Sequence, residues 1–241
     1  MRRFLARGGA ILGALALISA IPATSQASTT AVAPAHAAAP ALITRWKLAT
    51  DLRANPNRNR FSSYAGGFPA WSLRTTQNSS RNGYYKLLPS FSPAFGSAGV
   101  QAWHGKTASC VELPAIGVNT TDKPAAVCGA RVPGNAAFAS PAPAQMPVVA
   151  WTSPFDGGVT ISHNAVADND ALCGDGVTYY VYLGLLQLTR VRIPNAGSVS
   201  LPEAFQSIAK GQSLYFIVTP GPSGNIACDT TQLQITIDRT F

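Results

Sequence analysis

Seven short runs of alternating apolar and polar residues fill the chain from Pro147 to its C terminus. In residues 177–183, every second residue is apolar from Val177 to Leu183, which is the period-two pattern of a half-buried strand. The predicted strands are 148–152, 158–166, 177–183, 186–193, 198–205, 213–219 and 232–237. Only residues 201–209 have a pattern typical of a helix. Many short strands separated by turns predict an all-β fold, and a β-sandwich in particular.

The first half of the chain is less regular. Apolar runs at 41–48, 84–88 and 100–103 are separated by turn clusters rich in Asn, Gly and Pro. These runs are too sparse to build a second core, so we expect them to add strands to the same sandwich. The Ala- and Pro-rich stretch 136–147 is then a long crossing loop, and the alternative is a linker between two domains. The prediction is one domain over residues 42–241.

The N terminus has the features of an export signal. Arg2, Arg3 and Arg7 precede an uncharged run over residues 8–21, and the small residues of Ser25-Gln26-Ala27 mark a cleavage site. The run is too short to span a bilayer. We therefore predict a signal peptide at 1–27, a disordered leader rich in Ala, Thr and Pro at 28–41, and a secreted mature protein without a transmembrane segment. Losing those three arginines lowers the net charge from +8 to +5.

The remaining positive charge is concentrated near the start of the domain. Eight basic residues between positions 45 and 86 face one acidic residue, Asp51. Export argues against nucleic acid as the partner, so an anionic envelope polymer or an acidic polysaccharide fits better. The alternative is a solvated face with no specific partner.

Four cysteines occur in a chain that is predicted to be exported: Cys110, Cys128, Cys173 and Cys228. An even number in this setting predicts two disulfides, with three possible connectivities. No pair has the close spacing of a zinc site or a redox motif, so the bridges are expected to be structural.

Several motifs resemble those of a group of exported bacterial jelly-roll proteins. The first half contributes Trp46-Lys47-Leu48 with Asp51, Asn55-Pro56-Asn57 and Ser63-Tyr64. The second half contributes Val149-Ala150-Trp151-Thr152-Ser153-Pro154, Gly158-Val159-Thr160-Ile161, Asp168-Asn169-Asp170, Gly174-Asp175-Gly176-Val177, Lys210-Gly211-Gln212-Ser213, and Asn225 with Asp229-Thr230-Thr231. The resemblance covers nearly the whole mature chain. It implies a jelly-roll or galactose-binding-like sandwich, a fold often used by carbohydrate-binding modules, with no assigned activity for many members.

The chain departs from this group at three places. Cys173 stands where the group usually has Gly, Gln212 replaces the usual Asp, and the hairpin after Leu183 is reduced to Gly184. Cys173 and Cys228 both lie beside matched positions, namely Asp175 and Asp229. If those loops meet, the resemblance implies a bridge between Cys173 and Cys228, and it leaves Cys110 and Cys128 as a local pair.

The same loops are rich in oxygen ligands. Asp168, Asp170 and Asp175 lie close together in sequence, and Asn225 and Asp229 lie in the loop that the bridge would bring alongside. Calcium prefers such carboxylate and amide oxygens, so we predict a structural calcium ion, although the spacing is not that of an EF-hand. The alternative is that Asp and Asn serve only as turn formers.

Aromatic side chains supply the candidate ligand-binding residues, since sugar rings stack on aromatic faces while polar groups fix their hydroxyls. The candidates are Tyr180, Tyr182, Trp71, Trp103, Tyr84 and Tyr85, with His104 as a polar partner. Tyr180 and Tyr182 alternate with the apolar residues of their strand and therefore point to its opposite side. Core packing is the alternative for each of these rings.

Catalytic motifs are missing from the sequence. The two glutamates, Glu112 and Glu203, do not form an obvious pair, and there is no Gly-x-Ser-x-Gly or HExxH motif. The sequence therefore favours a secreted, non-catalytic module that binds a cell-wall or extracellular glycan. The alternatives are an adhesive envelope protein that binds another protein and, third, a secreted hydrolase.

Overall fold

In the computed structural model, which describes residues 44–62, 67–77, 83–105, 114–168 and 174–240, the chain forms 18 strands and one short helix. The helix is α1 (Leu48–Ala54). The strands are β1 (Arg45–Lys47), β2 (Arg60–Phe61), β3 (Trp71–Gln77), β4 (Lys86–Leu87), β5 (Ser90–Ser92), β6 (Val100–His104), β7 (Ala115–Asn119), β8 (Ala125–Val127), β9 (Ala130–Val132), β10 (Ala137–Ser140), β11 (Gln145–Thr152), β12 (Gly157–Asp168), β13 (Val177–Leu183), β14 (Leu186–Ile193), β15 (Ser198–Ser200), β16 (Ala204–Ile208), β17 (Ser213–Pro220) and β18 (Thr231–Thr240). The predicted signal peptide and leader lie outside the described residues.

The strands form two large antiparallel sheets. Sheet A has the order β15-β12-β18-β10-β7-β6-β5, with β1 also paired to β18 and β16 to β12. Sheet B has the order β14-β13-β17-β11-β3-β2, with β4 also paired to β3. Strands β8 and β9 form a separate hairpin. One hydrophobic core takes side chains from both sheets, and this confirms the predicted all-β sandwich.

Alternation along the strands decides which side chains enter that core. The apolar positions of β13, from Val177 to Leu183, pack with Leu214, Phe216 and Val218 of β17. Ile161 and Ile237 contribute from sheet A. Residues 42–241 form one compact unit. No helix in the described ranges is long and apolar enough to cross a membrane.

Three sequence expectations about local structure were wrong. Residues 204–208 form strand β16, because Ile208 is buried while Phe205 and Ser207 alternate outward, and the strand pairs with β12. The stretch 136–147 is not a crossing loop, since it contains β10 and the start of β11. Strand β10 was not predicted because its sequence does not alternate between apolar and polar residues. All four of its residues are buried between β7 and β18, where small alanines fit. The third miss is helix α1, which begins at Leu48, where the apolar run 41–48 ends, in a segment for which no helix was predicted.

Helix α1 is fixed to sheet B by one buried acidic residue. The Trp71 indole Nε1 donates a hydrogen bond to Asp51 Oδ2 at 2.8 Å. The backbone N–H of Lys47, the residue before the helix, donates to the same oxygen at 3.1 Å. Asp51 is 4% exposed. Its carboxyl group therefore ties the backbone just before the helix to the Trp71 indole and holds the largest side chain of β3 in place.

Replacing Asp51 with Ala is expected to lower the free energy of unfolding by about 3 kcal/mol. The change leaves the Trp71 and Lys47 donors without this acceptor in a buried site, at a cost of about 1–3 kcal/mol for each unsatisfied group. Urea denaturation measures the loss. Asp122→Ala, at an exposed loop position, is the control and should change stability by less than about 0.5 kcal/mol. A loss below about 1 kcal/mol for Asp51→Ala would contradict this account.

Candidate functional site

The outer face of sheet B, on the side away from the core, carries a cluster of tyrosines. Tyr85, Tyr180 and Tyr182 are buried there with Val148 and Ile217, and Tyr215 and Met146 pack against them. These positions alternate with the core-facing residues of β11, β13 and β17. We call this surface the tyrosine face.

The rings of the tyrosine face are packed in two pairs. Tyr180 and Tyr182 stack with their ring centroids 6.2 Å apart. Tyr85 meets Tyr215 edge to face at 4.6 Å. The Tyr182 hydroxyl donates a hydrogen bond to Gln187 Oε1 at 2.8 Å. Tyr180 and Tyr182 thus point away from the core as predicted, but they are only 5% and 7% exposed and form the floor of the face rather than its surface.

Gly83, two residues before Tyr85 of the tyrosine face, lies close to the turn between β13 and β14. A Cβ atom on Gly83 would lie 3.3 Å from Leu185 Cδ2, in the turn between β13 and β14. The next residue, Tyr84, is 83% exposed, and Leu185 and Leu186 are also largely exposed. Tyr84 is therefore an exposed aromatic residue beside Tyr85 of the tyrosine face, and Leu185, in the adjoining turn, is an exposed apolar residue.

Arg74 and Arg190 lie among the residues of the tyrosine face. Arg74 donates from Nε to Ser72 Oγ at 2.8 Å and from Nη1 to the Tyr85 carbonyl oxygen at 3.4 Å. Burial lowers the pKa of the Arg74 guanidinium, the charge of Arg60 lowers it further, and Tyr215 opposes the change. The guanidinium of Arg190 lies 5.8 Å from the centre of the Tyr180 ring, within cation–π range.

Three predicted ligand-binding residues lie elsewhere. Trp71 is fully buried in the core and bonded to Asp51, so it is not part of a binding surface. Trp103, on sheet A, packs against Phe91 and donates to the Pro56 carbonyl oxygen at 3.0 Å. His104 is buried, with its Nδ1 2.7 Å from the Gly105 carbonyl oxygen. Their alternating strands place these side chains in packed layers, which is the alternative that the sequence left open.

One residue of the tyrosine face was missed from the sequence. Tyr215 alternates with Leu214 and Phe216 in β17, as Tyr180 and Tyr182 alternate with the apolar residues of β13. The alternation of side chains that identified Tyr180 and Tyr182 in β13 would also have identified Tyr215 in β17.

The two acidic loops meet, which is the condition on which the predicted bridge between Cys173 and Cys228 depends. The Ser223 backbone N–H donates to Asp175 Oδ2 at 2.9 Å. A Cβ on Gly174 would lie 2.6 Å from the Ala227 carbonyl oxygen and 3.3 Å from Asp229 Oδ1. Asp229 is buried. The loop before β13 and the loop before β18 thus pack directly on each other.

Part of the predicted calcium ligand set lies outside the described residues, namely Asp170 and the side chain of Asp168. Among the described members, the side-chain oxygen of Asn225 accepts a hydrogen bond from the Ala227 backbone N–H. The described residues contain no group of three acidic, histidine or cysteine side chains able to hold a metal. Among the described residues, no hydrogen-bond partner is found for the buried Asp175 Oδ1, which suits a cation. The calcium ion stays a prediction that needs Asp168 or Asp170 as a further ligand.

Both cysteines in the described part of the chain are oxidised. Cys128, in the turn of the β8–β9 hairpin, and Cys228, in the loop before β18, are disulfide-bonded. Cys110 and Cys173 lie outside the described residues. The pairing of Cys110 with Cys128 and of Cys173 with Cys228 stays a prediction.

The chain matches no family model and no curated protein. Among solved structures it is similar to the carbohydrate-binding module CBM51 of Clostridium perfringens GH95, solved in complex with methyl-galactose, at 12% identity over 49% of this chain and 81% of that chain, with a TM-score of 0.33. It is also similar to the M60 catalytic domain with the CBM51-1 and CBM51-2 domains of Clostridium perfringens ZmpB, at 11% identity over 76% of this chain and 18% of that chain, with a TM-score of 0.36. A further similar structure is the C-terminal CBM6 of LamC from Zobellia galactanivorans, at 11% identity over 68% of this chain and 99% of that chain, with a TM-score of 0.25. These TM-scores are too low to support an inference about fold or ligand.

If the acidic loops hold calcium, the ion will raise the melting temperature. A ligand present at 100 times its dissociation constant stabilises the folded state by about 2.7 kcal/mol. Thermal melts in millimolar calcium and in EGTA measure the effect, with magnesium as the control cation because it prefers a smaller octahedral site. Equal melting temperatures in calcium and EGTA would contradict the prediction.

Asp175 makes stability depend on pH. Its pKa lies below the usual value, chiefly because the Ser223 N–H binds the ionised carboxylate. A group of this kind stabilises the fold above its unfolded pKa of about 3.9, and this contribution is lost as the pH falls through the folded pKa. Asp175→Asn should therefore lower the melting temperature at pH 7, and the difference from the wild type should vanish at low pH.

The melts for Asp175→Asn are run in EGTA so that no bound ion contributes. Asp122→Asn, at an exposed loop position, is the matched control and should follow the wild type throughout. A difference for Asp175→Asn that stays constant from neutral to acid pH would contradict the assignment.

Proposed function

We propose that this chain is an exported, non-catalytic jelly-roll module that binds carbohydrate on the tyrosine face. The observation that supports this most directly is a sheet surface that carries four tyrosines and two arginines. One arginine lies within cation–π range of a tyrosine ring, and the other is held by hydrogen bonds. Aromatic rings provide apolar contact for the faces of sugars, and a few fixed polar groups orient the hydroxyls.

The buried rings and the accessible rings have different roles in this proposal. Tyr180 and Tyr182 form a rigid floor, because they stack on each other and Tyr182 is held by Gln187. Tyr84 is exposed and Tyr215 partly so, and these two offer ring surface to a ligand. A site that is packed before binding loses little conformational entropy when the ligand arrives.

The composition of the strands also supports binding without catalysis. The strands of sheet B, as the structure describes them, contain no Asp or Glu. Glycoside hydrolysis usually requires a pair of carboxyl groups on either side of the scissile bond. The tyrosine face does not offer that pair from its own strands.

Adhesion to another envelope protein is a second candidate function, favoured by two exposed leucines, Leu185 in the turn between β13 and β14 and Leu186 at the start of β14. Exposed apolar patches often mark protein interfaces. Changing both leucines to Ser should abolish binding to a protein partner and leave polysaccharide binding intact.

Tyr84→Ala is expected to weaken polysaccharide binding about tenfold, equal to about 1.4 kcal/mol, because it removes the exposed ring of the face. Affinity electrophoresis against a panel of neutral and acidic polysaccharides measures this. Phe205→Ala is the matched control, since Phe205 is an exposed aromatic residue on sheet A. If no polysaccharide in the panel retards the wild-type protein, the proposed function is wrong.

A further inference from the structure

Charge is divided unevenly between the two sheets. The described strands of sheet B contain five basic residues and no acidic residue, and the basic residues are Arg60, Arg74, Lys86, Arg190 and Arg192. The described strands of sheet A are nearly balanced, with Arg45, Lys47 and Arg239 against Asp168 and Asp238. Sheet B is therefore strongly positive while sheet A is not.

The strand register places the four arginines of sheet B on the same surface as the tyrosines. One row of paired residues crosses the sheet. It starts at Arg190 on β14 and continues through Tyr180 on β13 and Ile217 on β17 to Val148 on β11. Val148 is in turn opposite Arg74. Adjacent strands lie about 4.8 Å apart, so this row extends about 19 Å from one arginine to the other.

The other two arginines extend the pattern at both edges. Arg60 is opposite Ser72 on the β2 side, and Arg192 is opposite Thr178 on the β14 side. The tyrosines thus lie between one pair of arginines on β2 and β3 and another pair on β14.

Within the described part of the protein, none of these arginines forms an ion pair with an acidic side chain. The ion pair found among the described residues joins Arg45 and Asp238, on sheet A. Arg74 is half-buried, and the acceptors that it contacts are a hydroxyl and a carbonyl oxygen. Arg192 donates to the Asp175 carbonyl oxygen at 3.3 Å and lies near that carboxylate, so its charge is partly offset.

Placing Arg74 in this position costs stability. A half-buried cation without a carboxylate partner loses hydration, and the neighbouring Arg60 adds repulsion. The core does not require a cation here, because Arg74 points away from it. A bound anion would supply the missing counter-charge.

Building on the proposed carbohydrate-binding function, we infer that the glycan is acidic and that Arg74 and Arg190 bind its carboxylate or sulfate groups while the tyrosines contact its rings. The guanidinium group suits this role because its planar array of N–H donors matches two oxygens of such an anion. The row length lets one extended chain reach both arginines.

The test compares matched neutral and acidic polymers. Dextran against dextran sulfate isolates the sulfate group, and methyl-esterified polygalacturonate against polygalacturonate isolates the carboxylate. Affinity electrophoresis at two salt concentrations should show that the wild type binds at least one acidic polymer at least about tenfold more tightly than its neutral match, and that salt weakens this binding. The acidic polymer that binds identifies which anion is recognised.

Arg190→Gln is the main variant, because Arg190 is exposed and its loss should not affect folding. It should weaken binding of the acidic polymer about tenfold, the loss expected for one charge-assisted hydrogen bond. Arg74→Gln should do the same, with its melting temperature measured to show that it folds. Arg131→Gln, at an exposed position of β9 outside both sheets, is the control for net charge and should bind like the wild type.

The possible results separate the two proposals. Equal binding of neutral and acidic polymers, with no effect of Arg190→Gln, would overturn the acidic ligand and leave carbohydrate binding in place. Failure to bind any of the four polymers would overturn both. Binding of dextran sulfate and single-stranded DNA alike, with Arg131→Gln as weak as Arg190→Gln, would show general polyanion attraction and would also overturn the inference.

Discussion

The hydrogen bond between Asp51 and Trp71 holds together the part of the sandwich on which the other elements depend. Trp71 is opposite Trp151 in the register of β3 and β11. Trp151 meets Trp46 edge to face at 5.2 Å, and Trp46 belongs to β1, which pairs with sheet A. Three tryptophans therefore join the two sheets, and Asp51 fixes the orientation of one of them. Because β3 also carries Arg74 on its other face, the same strand connects the core to the tyrosine face.

The sequence predicted the second half of the fold well, since alternation is a direct consequence of strand geometry. Strands β13 and β14 have the predicted boundaries, and the outward direction of Tyr180 and Tyr182 follows from parity alone. Strand β10 was not predicted because a strand that is buried on both faces does not alternate between apolar and polar residues. The burial of the two tyrosines was also missed, because it depends on Tyr85, which lies far away in sequence.

Charge was the least reliable guide when it was read along the chain. The basic run between residues 45 and 86 is dispersed on folding, with Arg45 paired to Asp238 and Arg53 bonded to Asn135. Arg74 instead shares a surface with Arg190, which lies more than a hundred residues away in sequence and outside that basic run. A window along the sequence averages over residues on both faces of two sheets. Strand register is what shows which charges share a surface.

Strand β14 lies at the end of the order of sheet B, so one side of its backbone has no neighbouring strand within the described part of the protein. Such an edge can pair with the edge of another molecule, and charged side chains are a common protection against this. Arg190 and Arg192 place two like charges on that edge. Copies of the protein therefore repel one another where their sheets would otherwise join, and a polyanion that neutralises these arginines would weaken that protection. The same two side chains thus affect both ligand binding and colloidal stability.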